Sequence, residues 1–256
     1  YAQFLLRHRL RVGGVADVPN LHSVDLVVDA DESFVDVAKL RRLLRREITA
    51  AGVKVLTGVP VDEPHAGYDL VVFATYGQPW PTPLRYEVCE LAIMELGRYS
   101  GDSYVVMDGE FVSLDPWPDG RYALYDVKHT VHHVSVGTAP EVPDEYADLI
   151  RRTGVIRTPL SRFDAMAESA SRFLRHVEPH GRGVSIHHGS MFSVRAVLPG
   201  VDATDERPTV VRRDGNVIRI LPGKIGTAIA AARQVVDLSG LCRNGSDLFR
   251  TALVDV

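Results

Sequence analysis

Residues 221–237, LPGKIGTAIAAARQVVD, join two glycines, a lysine and a threonine to a run made largely of alanine. The apolar residues from Ile218 to Leu221 just before it read as a strand. Gly223 permits a sharp exit, and Gly226 and Thr227 open a helix. The first turn of a helix leaves backbone N–H groups without intrahelical partners, and with the helix dipole these favour negative charge at that end. Lys224 adds positive charge just ahead of it, and Ala228, Ala230, Ala231 and Ala232 let a backbone or a flat cofactor approach closely. The same pattern also describes a plain glycine turn before a well-packed terminal helix, so the rest of the chain has to decide.

Working outward from there, PTVVRRDGNVIRILPG (208–223) predicts a hairpin turning at Asp214-Gly215. VSIHHGSMFSVRAVLP (184–199) predicts a strand. Two helices are expected at about 143–153 and 161–177, the second burying Phe163, Met166, Ala170, Phe173, Leu174 and Val177. YVVMDGEFVSLDP (104–116) and RYALYDVKHTVHHVSVG (121–137) read as strands broken at Asp108-Gly109 and from Pro116 to Gly120, while RYEVCELAIMEL (85–96) fits helix or strand. This middle region predicts an antiparallel sheet that begins a second lobe.

The N-terminal part alternates. SVDLVVDAD (23–31) reads as a strand, and Asp31 to Asp36 offers capping chemistry. A helix follows with Val37, Leu40, Leu44 and Ile48 on one stripe, a solvated face of Arg41, Arg42, Arg45 and Arg46, and a closing Gly52. KVLTGVPV (54–61) predicts a second strand, and YDLVVFATYG (68–77) a third, apolar enough to be buried on both faces. Strand, helix, strand, strand is an α/β pattern.

The combination of YDLVVFATYG, FVSLDP, VRAVLPGVDATDERPTVV and NVIRILPGKIGTAIAAARQVVD resembles the FAD-dependent oxidoreductases of the D-amino-acid oxidase and glycerol-3-phosphate dehydrogenase superfamily, over about Ser23 to Asp237. The resemblance implies an α/β, two-lobed flavoprotein fold. A Rossmann-like FAD-binding lobe would take residues 1–82 and 190–240, a mostly antiparallel substrate lobe 83–189, and a tail 241–256. It implies FAD as cofactor, with Ala74, Thr75 and Gly77 passing near it. Gly223, Lys224, Ile225, Gly226 and Thr227 would aim N–H donors at the pyrimidine end of the flavin, where they stabilise the reduced state. The implied reaction is oxidation of a C–N or C–O bond in a small polar substrate by hydride transfer, with the electron acceptor open. A flavin-free relative working as a binding or scaffold protein is the alternative. The family opens with a strand, a G-x-G-x-x-G turn and a helix, and no such motif occurs here; Gly13-Gly14 is too short and has no helix pattern behind it. That unit is expected to lie upstream of Tyr1 or on a partner chain.

Candidate catalytic side chains follow. His129 and His133 share a face of the predicted 121–137 strand by alternation, with His132 opposite. The resemblance puts this sheet over the flavin, so either is a candidate for substrate contact or a base, against structural or surface roles. His187 and His188 near Gly189 are comparable. Arg195 and Arg207 lie where the family often keeps an arginine, and a guanidinium grips a carboxylate through two parallel bonds; a structural salt bridge is the competing reading, with Asp205 and Glu206 beside Arg207. Tyr122 and Tyr125 are candidate pocket walls, and Trp80 and Trp117 candidate entrance residues.

The bulk numbers narrow the classes. The chain has 256 residues, 45% hydrophobic and 24% charged, with net charge -4, an ordinary globular composition that gives no reason to expect a nucleic-acid partner. Cys89 and Cys242 are far apart without metal-type spacing, which reads as reduced thiols of a cytoplasmic protein with no metal site. No membrane span, signal peptide, Walker loop, zinc-protease motif or serine–histidine–acid arrangement stands out.

Overall fold

The computed structural model describes residues 12–14, 18–30, 35–59, 61, 67–97, 101–107, 111–180, 185–200 and 207–240. In chain order the elements are β1 (Val12–Gly14), β2 (Val28–Ala30), α1 (Val37–Ala50), β3 (Val71–Phe73), β4 (Leu84–Leu96), β5 (Tyr104–Val105), β6 (Val112–Pro116), β7 (Tyr122–Asp126), β8 (Val131–Gly137), α2 (Asp144–Arg151), α3 (Phe163–Ala170), β9 (Ser185–Val197), β10 (Val210–Asp214), β11 (Val217–Leu221) and α4 (Ala228–Ser239), the last entered through a 3-10 turn at Ile225–Thr227. The fold is mixed α/β with mostly antiparallel pairing. Among the described residues, no helix is long and apolar enough to cross a membrane.

The chain divides into two compact units. The first holds residues 1–56, 88–133 and 142–193; the second holds 57–87, 134–141 and 194–256.

The larger sheet has the order β5-β6-β7-β4-β8, with β9 also pairing β4. A strand has two edges, so β4 holds three partners only by changing partner along its 13 residues. Pairing with β7 runs through Ala92↔Leu124, Ile93↔Ala123 and Met94↔Tyr122. The core of the first unit lies here. Ala92, Met94, Val112, Leu114 and Leu124 pack against Phe163, Met166, Ala167 and Ala170 of α3. Each large apolar side chain taken fully out of water stabilises by about 1.5–3 kcal/mol. Phe163, Leu114 and Met166 are among the largest side chains buried completely. The reading of 85–96 as strand or helix resolves to strand β4. Its run of buried residues matches a central strand with three partners.

The second unit carries a three-stranded sheet, order β10-β11-β3. β10 and β11 form the expected hairpin, antiparallel from Val210↔Leu221 to Asp214↔Val217, with Gly215 at φ 59 in the turn. Trp80, Leu84, Tyr86, Ala196 and Leu221 make its core.

Several expected elements differ. Residues 53–59 and 61 are exposed coil, so KVLTGVPV forms no strand: no described segment pairs with it. Among the described residues, the strand expected at 23–31 is β2 alone, paired with β1 through Val12↔Ala30, Gly13↔Asp29 and Gly14↔Val28. That pairing also uses Gly13 and Gly14 as strand residues. The apolar run 68–77 contributes only β3, which is not buried on both faces: it is an edge strand, and Val72 is 40% exposed. Helix α1 forms as expected, with Asp36 Oδ1 accepting from Lys39 N–H at 2.9 Å, but none of its residues is buried, so the stripe of Val37, Leu44 and Ile48 faces solvent. The helix expected over 161–177 ends at Ala170. Beyond it the backbone turns to bond another segment: His22 N–H donates to Phe173 O and Arg175 N–H to Asn20 O, both at 2.9 Å. Asp31, Asp108, Gly109, Cys242 and the tail lie outside the described residues.

Candidate functional site

The strand–helix junction is built by β3 and β11. They pair in parallel, Val217↔Val71, Ile218↔Val72 and Arg219↔Phe73. Parallel neighbours end at the same edge of a sheet, so Ala74–Gly77 and Gly223–Thr227 leave from one edge. The first exit packs on the end of β11. Gly77 has φ +86, and a Cβ on it would stand 3.1 Å from Ala196 Cβ and 3.3 Å from Leu221 Cδ1. Gly223 is tighter still: a Cβ there would lie 1.9 Å from Arg207 O. Thr209 fastens this corner. Its hydroxyl oxygen accepts from Gly223 N–H at 2.8 Å and lies 2.5 Å from Thr227 Oγ1, whose own hydroxyl reaches Lys224 O at 2.6 Å.

From Lys224 onward the chain opens to solvent. Neither the 3-10 turn nor α4 has a side-chain cap. A Cβ at Gly226 would meet nothing within 4 Å. Ile225 and Ile229 are 57% and 68% exposed, and of α4 only Ala231 is buried. Within the turn Thr227 N–H donates to Lys224 O at 3.0 Å and Ala228 N–H to Ile225 O; the N–H groups of Ile225 and Gly226 ahead of them lie at an uncovered apolar surface, where the start of a helix favours an incoming acceptor. Thr75 does not contribute its hydroxyl outward, since it donates to Gln78 O in its own loop.

A small cleft, about 30 Å³, adjoins the junction and is lined by Tyr76, Arg195, Arg207, Pro208, Leu221 and Gly223 among others. That is room for about one water. Arg195 and Arg207 are thus brought to the same corner as Gly223. Arg195 is engaged: Nε donates to Glu87 Oε2 at 2.7 Å and Nη2 to the same oxygen at 2.5 Å, while Arg85 Nη2 meets Glu87 Oε1 at 3.0 Å. Buried Glu87 therefore orients Arg195 and offsets part of its charge. Tyr76, Thr209 and Glu87 were not legible as site residues. Tyr76 sits at φ 60, a left-handed conformation rare outside glycine, and only the tyrosine standing between Thr75 and Gly77 hinted at it.

The histidines are arranged differently from expectation. His129 is not on a strand: β8 begins at Val131, and His129 N–H caps a turn by donating to Asp126 Oδ1 at 2.8 Å. Alternation therefore does not relate His129 to His133, which is half-buried on β8. His132, expected on the opposite face, is the enclosed one, its side chain 1% exposed. His132 Nε2 lies 2.8 Å from Glu90 Oε2, and Nδ1 3.3 Å from Tyr146 OH. Glu90 also accepts from Arg162 N–H at 2.9 Å and from the Ser161 and Ser190 hydroxyls at 2.5 Å each. Burial alone would raise the Glu90 carboxyl, but these donors outweigh it and hold the group below its ordinary range. Glu90 was missed because it is one acid in a strand of ambiguous pattern, and its partners come from up to 100 residues away.

Two of the four aromatic candidates are core residues. Tyr122 is buried, its hydroxyl accepting from Gly101 N–H at 2.7 Å, and Trp80 is buried in the second unit. Tyr125 and Trp117 are half-buried, Tyr125 against Phe111 at 6.1 Å between ring centroids. His188 pairs with Glu95 at 3.1 Å on the surface. Cys89 is not in a disulfide. Among the described residues, no group of three or more His, Cys, Asp or Glu side chains is placed to hold a metal ion. Asp205 and Glu206 lie outside the described residues. No protein-family model and no curated protein matches the chain.

Proposed function

We propose that the chain is an FAD-dependent oxidoreductase of the D-amino-acid oxidase and glycerol-3-phosphate dehydrogenase type, oxidising a C–N or C–O bond of a small polar substrate by hydride transfer. The observation that carries this reading is the parallel pairing of β11 with β3. Ligands of open α/β sheets sit beyond the carboxyl ends of parallel strands, and both segments expected at the flavin leave from those ends. In this reading the junction belongs to a Rossmann-like flavin lobe, and the antiparallel sheet to a substrate lobe.

The residues present fit the cofactor. Gly223 and Gly77 pack too closely for side chains, whereas Gly226 faces open space ahead of an uncapped helix. Ala74, Thr75 and Gly77 with Gly223, Lys224, Ile225, Gly226 and Thr227 would hold FAD, which supplies the two-electron acceptor when bound. The chain's own contribution is electrostatic. N–H groups fixed before reaction, with Lys224 beside them, stabilise negative charge without reorganising. Arg195, oriented by Glu87, and Arg207 offer guanidinium groups to an anionic group of a substrate. His129 and His133 take no part in this reading.

The flavin-free alternative draws on one observation: the cleft at this corner is only about 30 Å³. Reconstitution with FAD separates the two. The full-length protein, reconstituted with FAD and passed over a desalting column, should retain the visible bands of an oxidised flavin; residues 1–256 alone, without the dinucleotide-binding turn, should bind FAD poorly. Those bands should bleach anaerobically with a member of a panel of small amines, amino acids or hydroxy compounds. A colourless eluate supports the binding or scaffold reading instead.

A further inference from the structure

In the first unit the loop Arg157–Pro159 lies against β9. Ile156 and Ser190 exchange both backbone bonds, at 2.9 and 2.8 Å. Gly189 permits this approach: its φ is +141, and a Cβ would stand 2.8 Å from the Ile156 backbone. The loop and strand, with His180, border an open cleft of about 350 Å³ lined by Arg157, Thr158, Pro159, His180 and His187. That volume falls in the small-molecule range of about 300–1,000 Å³.

The walls are held in place. The His187 ring lies flat on Phe163, centroids 4.3 Å apart and planes 2° from parallel. Its Nε2 is 3.1 Å from Ser190 Oγ, which donates to the buried Glu90. His180 meets Asp164 Oδ1 through Nδ1 at 2.7 Å and through its backbone N–H at 2.8 Å. Arg157 Nε donates to His188 O at 3.3 Å. Among the described residues, no carboxylate pairs with Arg157. The charges facing the cleft are therefore Arg157 and the His180–Asp164 pair, with the Glu90 charge behind His187 compensated by its donors. Burial, then the neighbouring His180, lowers His187 from its ordinary value of 6.5.

We infer that this cleft binds a small oxyanion, a carboxylate or a phosphate, gripped by the Arg157 guanidinium and the His180 and His187 rings. The planar guanidinium fork matches two oxygens of either group; the N–H of each neutral ring is already committed, His180 Nδ1 to Asp164 and His187 Nε2 to Ser190, so the rings add a donor when a bound anion draws a proton onto their second nitrogen. The inference involves no residue of the strand–helix junction and is independent of the flavin reading.

The test follows the ring resonances of His180 and His187 by NMR at neutral pH. The full chain is titrated with sodium acetate, with inorganic phosphate and with sodium chloride at matched ionic strength. Saturable shifts with an oxyanion but not with chloride are expected, and Arg157→Gln should weaken the affinity about tenfold, the loss of about 1.4 kcal/mol. Saturation by acetate alone assigns a carboxylate, and by phosphate alone a phosphate. Arg157 is exposed, and unchanged amide resonances away from the cleft show that the variant is folded; Arg157→Lys, which keeps the charge but not the fork, replaces it otherwise and should also weaken binding. Shifts that do not saturate, that match chloride, or that keep their affinity in the folded variant overturn the inference.

Discussion

Gly223 and Gly226 stand three positions apart and make opposite demands. At Gly223 a methyl group would run into the Arg207 carbonyl, and that carbonyl is backbone, which cannot swing aside. Gly223→Ala should therefore lower stability by about 1–3 kcal/mol or more, as overpacking does, read as a lowered urea midpoint. At Gly226 the same methyl meets nothing, so substitution there should leave the folding midpoint unchanged. The need for a tight exit at Gly223 was legible in the sequence, because a strand that turns straight into a helix needs a residue without a side chain. Thr209 was not legible. Its hydroxyl matters only because the hairpin returns β10 beside the exit of β11, and that proximity is a tertiary fact.

At the scale of elements, Glu90 joins four segments: its own strand β4, β8 through His132, the entry to α3 through Ser161 and Arg162, and β9 through Ser190. Removing the acceptor strands several buried donors at once. Glu90→Ala should destabilise the chain by about 3–5 kcal/mol, and Glu90→Gln by less, since its amide oxygen still accepts. Chemical denaturation of both variants checks this; equal and small losses would show the network to be slack. Local pattern exposed the hairpin, α1 and the apolar stripe of α3. It failed at KVLTGVPV and at both ends of YDLVVFATYG, where β-prone residues had no partner to bond. A strand is a pairwise object, and one segment's sequence does not contain its neighbour. The same reason hid the histidine that matters: alternation placed His132 opposite His129 only by running a strand through the turn at Val127–Thr130.

For the whole molecule, the buried groups His187 and Glu90 shape the response to acid, beside the near-surface carboxyls of Asp36, Asp119 and Asp164, which are also held low. His187 is held below 6.5 by burial and by His180, so the unfolded chain takes up a proton before the folded chain does. Stability should decline as pH falls from 6.5 through the lowered folded value. Glu90 is also held below its ordinary value, 4.5, so its contribution is complete above that value and is lost as pH falls through the folded one. Urea midpoints measured from pH 7 to pH 3 should fall in two stages, with His187→Gln removing the first and Glu90→Gln reducing the second; a flat profile would contradict both. The functional claim rests on the uncapped N–H groups at Gly226, and it can be isolated because a side chain there leaves the fold alone. Equilibrium titration with FAD of the full-length wild-type protein and of its Gly226→Trp variant tests it most directly. Saturable binding by the wild type, lost or greatly weakened in an equally stable variant, is the predicted result; no binding by the wild type, or equal binding by the two, would contradict it.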